Sequence, residues 1–290
     1  MFSASDVKTL REKTGAGMLD CKKALQETGS IEAAIDWLRE KGIAKASKKS
    51  DRIAAEGLAQ IFTNGNKAVI LEVNSETDFV AKNEEFKNFV NTLGEVILNS
   101  NATTMDEALK LEVNDGTVED LVIAVTAKIG EKISFSRFNV VEKIDTENFG
   151  AYLHMGGKIA SLVVIEAGNE DVAREVAMHS AAMRPLYVNA SEVPEEVLEK
   201  EKNIMRQELL NEGKPADKIE NILVGKVRKY YEDVCLENQI FVKAENKETV
   251  GKYLENNSSK LVSMIRFEVG EGIEKRQDDF ATEVMNQING

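Results

Sequence analysis

Apolar residues recur every three or four positions through the first forty residues. Val7 and Leu10 share one side of a segment over 6–13. Met18, Cys21 and Leu25 share one side of 18–27, and Ile31, Ala34, Ile35 and Leu38 one side of a third segment. That spacing predicts three short amphipathic helices over 5–41. Gly15-Ala16-Gly17 separates the first two, Ser30 is placed to cap the third, and Gly42 to close it. The Lys-, Ser- and Ala-rich stretch 43–53 reads as a helical extension or linker.

Beyond residue 56 the pattern changes to short apolar runs bounded by turn residues. Strands are expected at 57–63 and 67–73 around Asn64-Gly65-Asn66, followed by helices over 84–98 and 118–129 and a strand over 133–141. The first of these helices puts Phe86, Phe89, Val90, Leu93 and Ile97 on one face. The same series then recurs: strands at 149–153 and 158–165 around Met155-Gly156-Gly157, a helix over 171–183, a helix over 248–255 and a strand over 261–269. The closing strands echo one another as Arg137-Phe138-Asn139-Val140 and Arg266-Phe267-Glu268-Val269. The offset between halves grows from 91 positions at Lys67 and Lys158 to 129 at Arg137 and Arg266. An insertion in the second half accounts for the growth. This predicts two tandem ββααβ units, each a small antiparallel sheet backed by helices.

The insertion, about 191–235, carries two facing apolar stripes. One holds Val197, Leu198, Ile204, Met205 and Leu209; the other holds Ile219, Ile222, Leu223, Val227, Tyr230 and Val234, across the turn Asn211-Glu212-Gly213-Lys214-Pro215. A thin antiparallel helical hairpin follows. At the end of the chain Phe280, Val284 and Ile288 lie four apart, as in a short amphipathic helix. The fold class is therefore α+β. Its expected parts are an N-terminal three-helix module with its basic linker (1–53), a first core unit (54–142), a second core unit (143–190 and 236–270), the hairpin (191–235) and a C-terminal module (271–290).

Composition narrows the function classes. The 290 residues are 42% hydrophobic and 30% charged, enough for two or three folded domains. No run of about 18 apolar residues exists to span a membrane, and the first residues lack a leader pattern. Two cysteines far apart and two histidines, His154 and His179, support neither a disulfide framework nor a zinc site. A cytoplasmic protein without metal or cofactor is expected. The net charge is −13, yet residues 1–52 hold 11 basic and 8 acidic residues. The acidic body argues against nucleic-acid binding; RNA contact by the basic stretch 41–52 stays open. None of the motifs GxxxxGK[ST], GxGxxG after a strand, HExxH or GxSxG is present. His179 lies on a helix of packed periodicity and reads as structural. The chain is expected not to be an enzyme.

The segment between the strand at 67–73 and the helix at 84–98 is the most specific. It reads Glu72-Val73-Asn74-Ser75-Glu76-Thr77-Asp78-Phe79-Val80-Ala81-Lys82-Asn83, with a large aromatic at a turn. Asp78 taken alone is an ordinary helix cap. The whole run resembles the signature of the elongation factor Ts family. The run Leu10-Arg11-Glu12-Lys13-Thr14-Gly15-Ala16-Gly17-Met18-Leu19-Asp20-Cys21-Lys22-Lys23-Ala24-Leu25 resembles that family's second signature, and the first forty residues resemble a ubiquitin-associated (UBA-like) bundle.

This resemblance implies a guanine nucleotide exchange factor that binds elongation factor Tu in its GDP form, displaces Mg²⁺ and promotes GDP release. It implies that Thr77, Asp78, Phe79 and Val80 enter the partner's GTP-binding domain, with Phe79 as a wedge beside the Mg²⁺ site and Asp78 capping the following helix. It further implies partner contacts at Met18, Leu19, His154 and Phe280, and a hairpin that clamps the partner or forms a homodimer. No nucleotide is bound directly. Asp278 stands where the family's echo of the turn would have Thr, and the turn His154-Met155-Gly156-Gly157 is one residue longer. The competing reading from the first forty residues is a UBA-type docking adaptor without exchange activity.

Overall fold

The computed structural model describes residues 2–14, 16–114 and 116–274. The expected C-terminal helix, with Phe280, lies outside the described residues. The chain is mixed helix and sheet, and its described residues divide into two compact units: those within 2–60, 71–139 and 268–274 form one, and 61–70 with 140–267 form the other.

The first unit begins with helices α1 (Ala4–Thr14), α2 (Met18–Thr28) and α3 (Ile31–Ser47). Leu10, Cys21, Ala24, Leu25 and Ala34 fill their small core. Gly29 ends α2 in the left-handed region at φ 80°, and the Ser30 side chain accepts from the Ala33 N–H to start α3. Two expectations need correction. Met18 does not face this core: it opens α2 and is exposed. Gly42 does not close α3, which continues to Ser47. It is buried, and a Cβ there would lie 3.7 Å from Ala127 of α7 (Val118–Ile129). The intrinsic cost of a mid-helix glycine, about 1 kcal/mol, is offset by close packing of α3 on α7. Arg39 pairs with Asp120 across the same contact at 2.6 Å and holds that carboxyl below its usual range.

Strands β1 (Glu56–Asn64), β2 (Lys67–Ser75) and β5 (Ser134–Glu142) form a sheet in the order β1-β2-β5. Between β2 and β5 the chain forms α4 (Asp78–Ala81), α5 (Glu84–Leu98), α6 (Met105–Leu109), the two-residue strands β3 (Glu112–Val113) and β4 (Gly116–Thr117), and α7. The short elements from α6 to β4 carry no periodicity long enough to read in the sequence. Phe86, Phe89, Val90, Leu93 and Ile97 of α5 are all buried. Glu72, inside β2, is also buried. It accepts from Arg137 Nε at 2.6 Å, Asn74 Nδ2 at 2.9 Å and the Gly270 N–H at 2.8 Å.

The second unit holds β6 (Glu147–His154) and β7 (Ile159–Glu166), paired antiparallel from Glu147 opposite Glu166 to His154 opposite Ile159. With β8 (Lys260–Glu268) they form a sheet in the order β6-β7-β8, the same order relative to the chain as in the first sheet. Helices α8 (Glu170–Met183) and α11 (Val250–Asn256) supply Val172, Ala173, Val176, Ala177, Val250 and Leu254 to one core with Val163 and Ile165. Gly150 permits α8 to lie directly on β6, because a Cβ there would come within 2.1 Å of the Ala173 carbonyl oxygen.

Helices α9 (Glu195–Asn211) and α10 (Ala216–Val234) make the hairpin, cross-linked by Arg206–Glu220 and Lys226–Glu208 ion pairs. Leu209, Ile219 and Leu223 are its buried residues, whereas Ile204, expected inside, is exposed. A stripe set by spacing alone misplaces a residue when the partner helix covers only a narrow strip.

His179 is fully buried on α8. Its Nδ1 accepts from the Val242 N–H at 3.1 Å, so Nε2 carries the proton and faces Gln239 Oε1 at 3.0 Å. Gln239 in turn donates to the Met183 and Asp233 carbonyls. A second ring proton would point at the Val242 N–H, and burial pushes the pKa down. A depressed histidine pKa means the unfolded chain takes up the proton first. The stability it contributes is complete above about pH 6.5 and is lost as pH falls below that value. We expect the urea midpoint to decline between pH 6.5 and 5.5, by an amount set by about 1.4 kcal/mol per pKa unit of depression. A flat midpoint over that window would contradict a neutral, structural His179.

Candidate functional site

The turn after β2 is built from the end of a buried strand. Glu72 to Ser75 are all buried; the chain then emerges at Glu76 and Thr77 and forms the single turn α4. Thr77, not Asp78, is the N-cap, and its hydroxyl oxygen accepts from the Val80 N–H at 3.4 Å. Asp78 is one residue too far along to cap, and its carboxylate pairs with Lys82 at 2.7 Å. Asn83 then caps α5.

A four-residue helix cannot hide every side chain. Val80 is 9% and Ala81 3% exposed, while Phe79 is 80% exposed. The four residues of the expected contact therefore divide. Val80 anchors the turn from inside, Thr77 closes it, and Asp78 and Phe79 face outward. A phenyl ring left in water keeps its transfer free energy, about 1.5–3 kcal/mol, for a contact elsewhere.

The base of the turn is tied down by residues remote in sequence. The Glu131 carboxylate accepts from the Thr77 N–H at 3.0 Å and from its hydroxyl at 2.7 Å. Glu76 accepts from the Lys132 N–H and from Arg52. Nothing in the local sequence around 76–83 points to residue 131; the only signal is Gly130, which ends α7 in the left-handed region at φ 89°.

In the same unit, Met18 and Leu19 open α2 and are 61% and 82% exposed. His154 belongs to the second unit. It is half-buried at the end of β6, its ring stacked on Tyr152, between exposed Leu153 and Met155. Met155, Gly156 and Gly157 all have positive φ, so the chain reverses sharply there. Among the described residues no group of three or more His, Cys, Asp or Glu side chains could hold a metal ion, and no helix is long and apolar enough to cross a membrane.

Comparison with known proteins gives a consistent result. A family model described as Elongation factor TS matches residues 76–271. The chain is 50% identical over 289 residues to the Elongation factor Ts of Limosilactobacillus reuteri (strain DSM 20016), covering 99% of both chains. The same figures hold for the Elongation factor Ts of Limosilactobacillus reuteri subsp. reuteri (strain JCM 1112).

Proposed function

Because the chain belongs to the elongation factor Ts family, we propose that it is a guanine nucleotide exchange factor for the translational GTPase elongation factor Tu. It binds the GDP form of that partner, dislodges Mg²⁺ and promotes GDP release, with no catalytic site or cofactor of its own and no direct nucleotide binding. It works in the cytoplasm and binds neither membrane nor nucleic acid. The observation that carries this reading is the exposed Phe79 on a turn whose base is held by buried and bonded neighbours.

Phe79 inserts beside the partner's Mg²⁺ site and displaces the ion's ligands, and Asp78 makes a polar contact next to it. By linkage, the factor lowers the partner's affinity for GDP by the same factor that GDP lowers its affinity for the protein. Met18 and Leu19 supply interface energy from the UBA-like bundle. His154, at the tip of β6, and Phe280 provide further contacts. The two sheets of like order are read as duplicated ββααβ units, of which one carries the wedge. The hairpin, with Ile204, Leu210 and Val224 exposed along it, clamps the partner or a second copy of the chain.

The direct test mixes the protein with the GTPase loaded with fluorescent GDP and follows release by stopped flow. Acceleration that saturates with factor concentration supports exchange. Binding without acceleration would leave a docking adaptor and overturn the proposal.

The bundle should act on affinity rather than on the exchange step. Its α3 packs on α7, so deleting it would strip a buried surface, and point variants test it better. Met18→Ala with Leu19→Ala is expected to raise the half-saturating concentration at least tenfold, since each side chain can bury about 1.5–3 kcal/mol of apolar surface. The maximal release rate should stay within about threefold, by the same argument that only contacts specific to the exchange state alter it. A fall in the maximal rate with unchanged half-saturation would refute this division.

A further inference from the structure

We propose that Glu131 is a positioning residue for exchange: its carboxylate sets the conformation of the Thr77 cap and so fixes the direction in which Phe79 is presented. The inference rests on the reading of Phe79 as the group that acts on the partner.

One turn of helix does not hold itself, because nucleation fixes several dihedrals for few hydrogen bonds. The ladder of α4 is correspondingly thin. Ala81 N reaches Thr77 O at 3.4 Å, and Lys82 N reaches Asp78 O at 3.2 Å and Phe79 O at 3.3 Å. The Phe79 ring, largely in water, has little packing to orient it. Its position must come from the backbone, and the backbone from the cap.

Every polar atom of Thr77 is engaged. Its N–H and its hydroxyl both donate to Glu131, its carbonyl accepts from Ser75 Oγ at 2.9 Å, and its hydroxyl oxygen accepts from the Val80 N–H. A hydroxyl has one proton. Once that proton is committed to the carboxylate, the oxygen lone pairs are left facing the helix. Glu131 therefore selects the side-chain rotamer that caps α4. Charge-assisted bonds of this kind are short and about twice as strong as neutral ones.

Glu131 is itself held. It follows the left-handed Gly130, whose N–H returns to Thr126 O at 3.1 Å. The next residue, Lys132, gives its N–H to Glu76 and its ammonium to Ser50 O at 2.6 Å. The arrangement is reciprocal: the carboxylate of 131 takes the N–H of 77, and the carboxylate of 76 takes the N–H of 132. Cutting one half loosens the aim of the turn without touching any apolar core residue.

The test compares Phe79→Ala, Glu131→Ala, Glu131→Gln and the double variant Phe79→Ala/Glu131→Ala in the full chain. It measures stopped-flow GDP release at saturating factor and amide exchange at 77–81. Glu131→Ala is expected to lower the maximal release rate about tenfold, with half-saturation changed less than twofold and faster amide exchange confined to the turn. Glu131→Gln keeps one acceptor and is expected to lose about threefold. The double variant is expected to be no slower than Phe79→Ala alone, because Glu131 acts only through the ring. If Phe79→Ala is slow while both Glu131 variants run at the full rate, the positioning role falls and the wedge stands. If Phe79→Ala runs at the full rate, the wedge falls. If Glu131→Ala slows release further on top of Phe79→Ala, Glu131 acts by another route and the proposal is overturned. Should Glu131→Ala not fold, Glu131→Gln carries the same comparisons.

Discussion

Phe79→Ala is expected to slow GDP release from the partner at saturating factor by roughly ten- to a hundredfold. The range follows from the ring. Burying one phenylalanine is worth about 1.5–3 kcal/mol, and each 1.4 kcal/mol is about tenfold in an equilibrium or rate. The ring is 80% exposed and in no core, so the melting temperature should not fall. If Phe79 acts as the proposed wedge, assembly with the nucleotide-free partner should weaken less than exchange slows, because that complex would rest on the remaining contacts while the ring would act with metal and GDP still in the site. Phe79→Leu, which keeps much of the apolar area, should fall between the two. Stopped-flow release that is unchanged in the alanine variant would remove the wedge assignment. One ring cannot carry the whole reaction, since moving a two-state equilibrium from 1:99 to 99:1 needs about 5.5 kcal/mol of differential binding. On the proposed mechanism, contacts spread over the chain, Leu19 and the tip of β6 among them, supply the rest.

How far the sequence could be read follows from the range of each interaction. Helix α5 was legible because five apolar residues repeat over fifteen positions, and all five are buried. The Thr77–Val80 turn was legible as a motif, but the division of its side chains was not. The segment Thr-Asp offers two acceptable caps, and only the three-dimensional start of α4 selects Thr77. Gly42 shows a local signal overridden by tertiary packing: glycine at that distance from a cap reads as a stop, yet the contact with Ala127, 85 positions on, makes it an interior residue. Met18 leaves the apolar stripe of its helix for the opposite reason. Its spacing fits the core, but it lies in the first turn of α2, at the edge of a bundle too small to cover it.

The residues that sequence reasoning missed share one property: they act at long separation. Thr77 meets Glu131 across 54 positions, Glu76 meets Lys132 across 56, and Glu72 meets Arg137 across 65. Lone carboxylates are plentiful in this acidic chain, and nothing local distinguishes these three. Together they form a series. Moving forward from 72 through 74 and 76 to 77, the partners run backward from 137 through 136 and 132 to 131. That is the contact order of two antiparallel segments. The motif at the tip is therefore the visible end of a ladder whose other rungs are side-chain bonds.

Arg137→Met is expected to destabilise the fold by about 3 kcal/mol, because it removes the cation from a carboxylate that cannot reach water. The Glu72 side chain is 3% exposed, and after the change its partners among the described residues are the Asn74 amide and the Gly270 N–H. The figure sits at the lower end for breaking a buried pair, about 3–5 kcal/mol, because the Arg137 side chain is itself 33% exposed. Arg137 also donates to the Glu268 carbonyl at 3.0 Å, so part of the loss is that bond. The diagnostic comparison is a second change in the same background. Glu72→Gln with Arg137→Met removes the charge and leaves an amide oxygen that still accepts from Gly270. The double variant should therefore be more stable than Arg137→Met alone, by about 1–2 kcal/mol on the cost of an unsatisfied buried charge. Urea denaturation of the three proteins measures both quantities. Equal stability of the single and double variants would mean that Arg137 matters through packing and the Glu268 bond, not through the charge on Glu72. If the charge is what counts, the pair does more than stabilise. It sets the register of β2 against β5 five residues before Thr77, and a slip of one residue there would turn the cap away from Glu131 and the ring away from its partner.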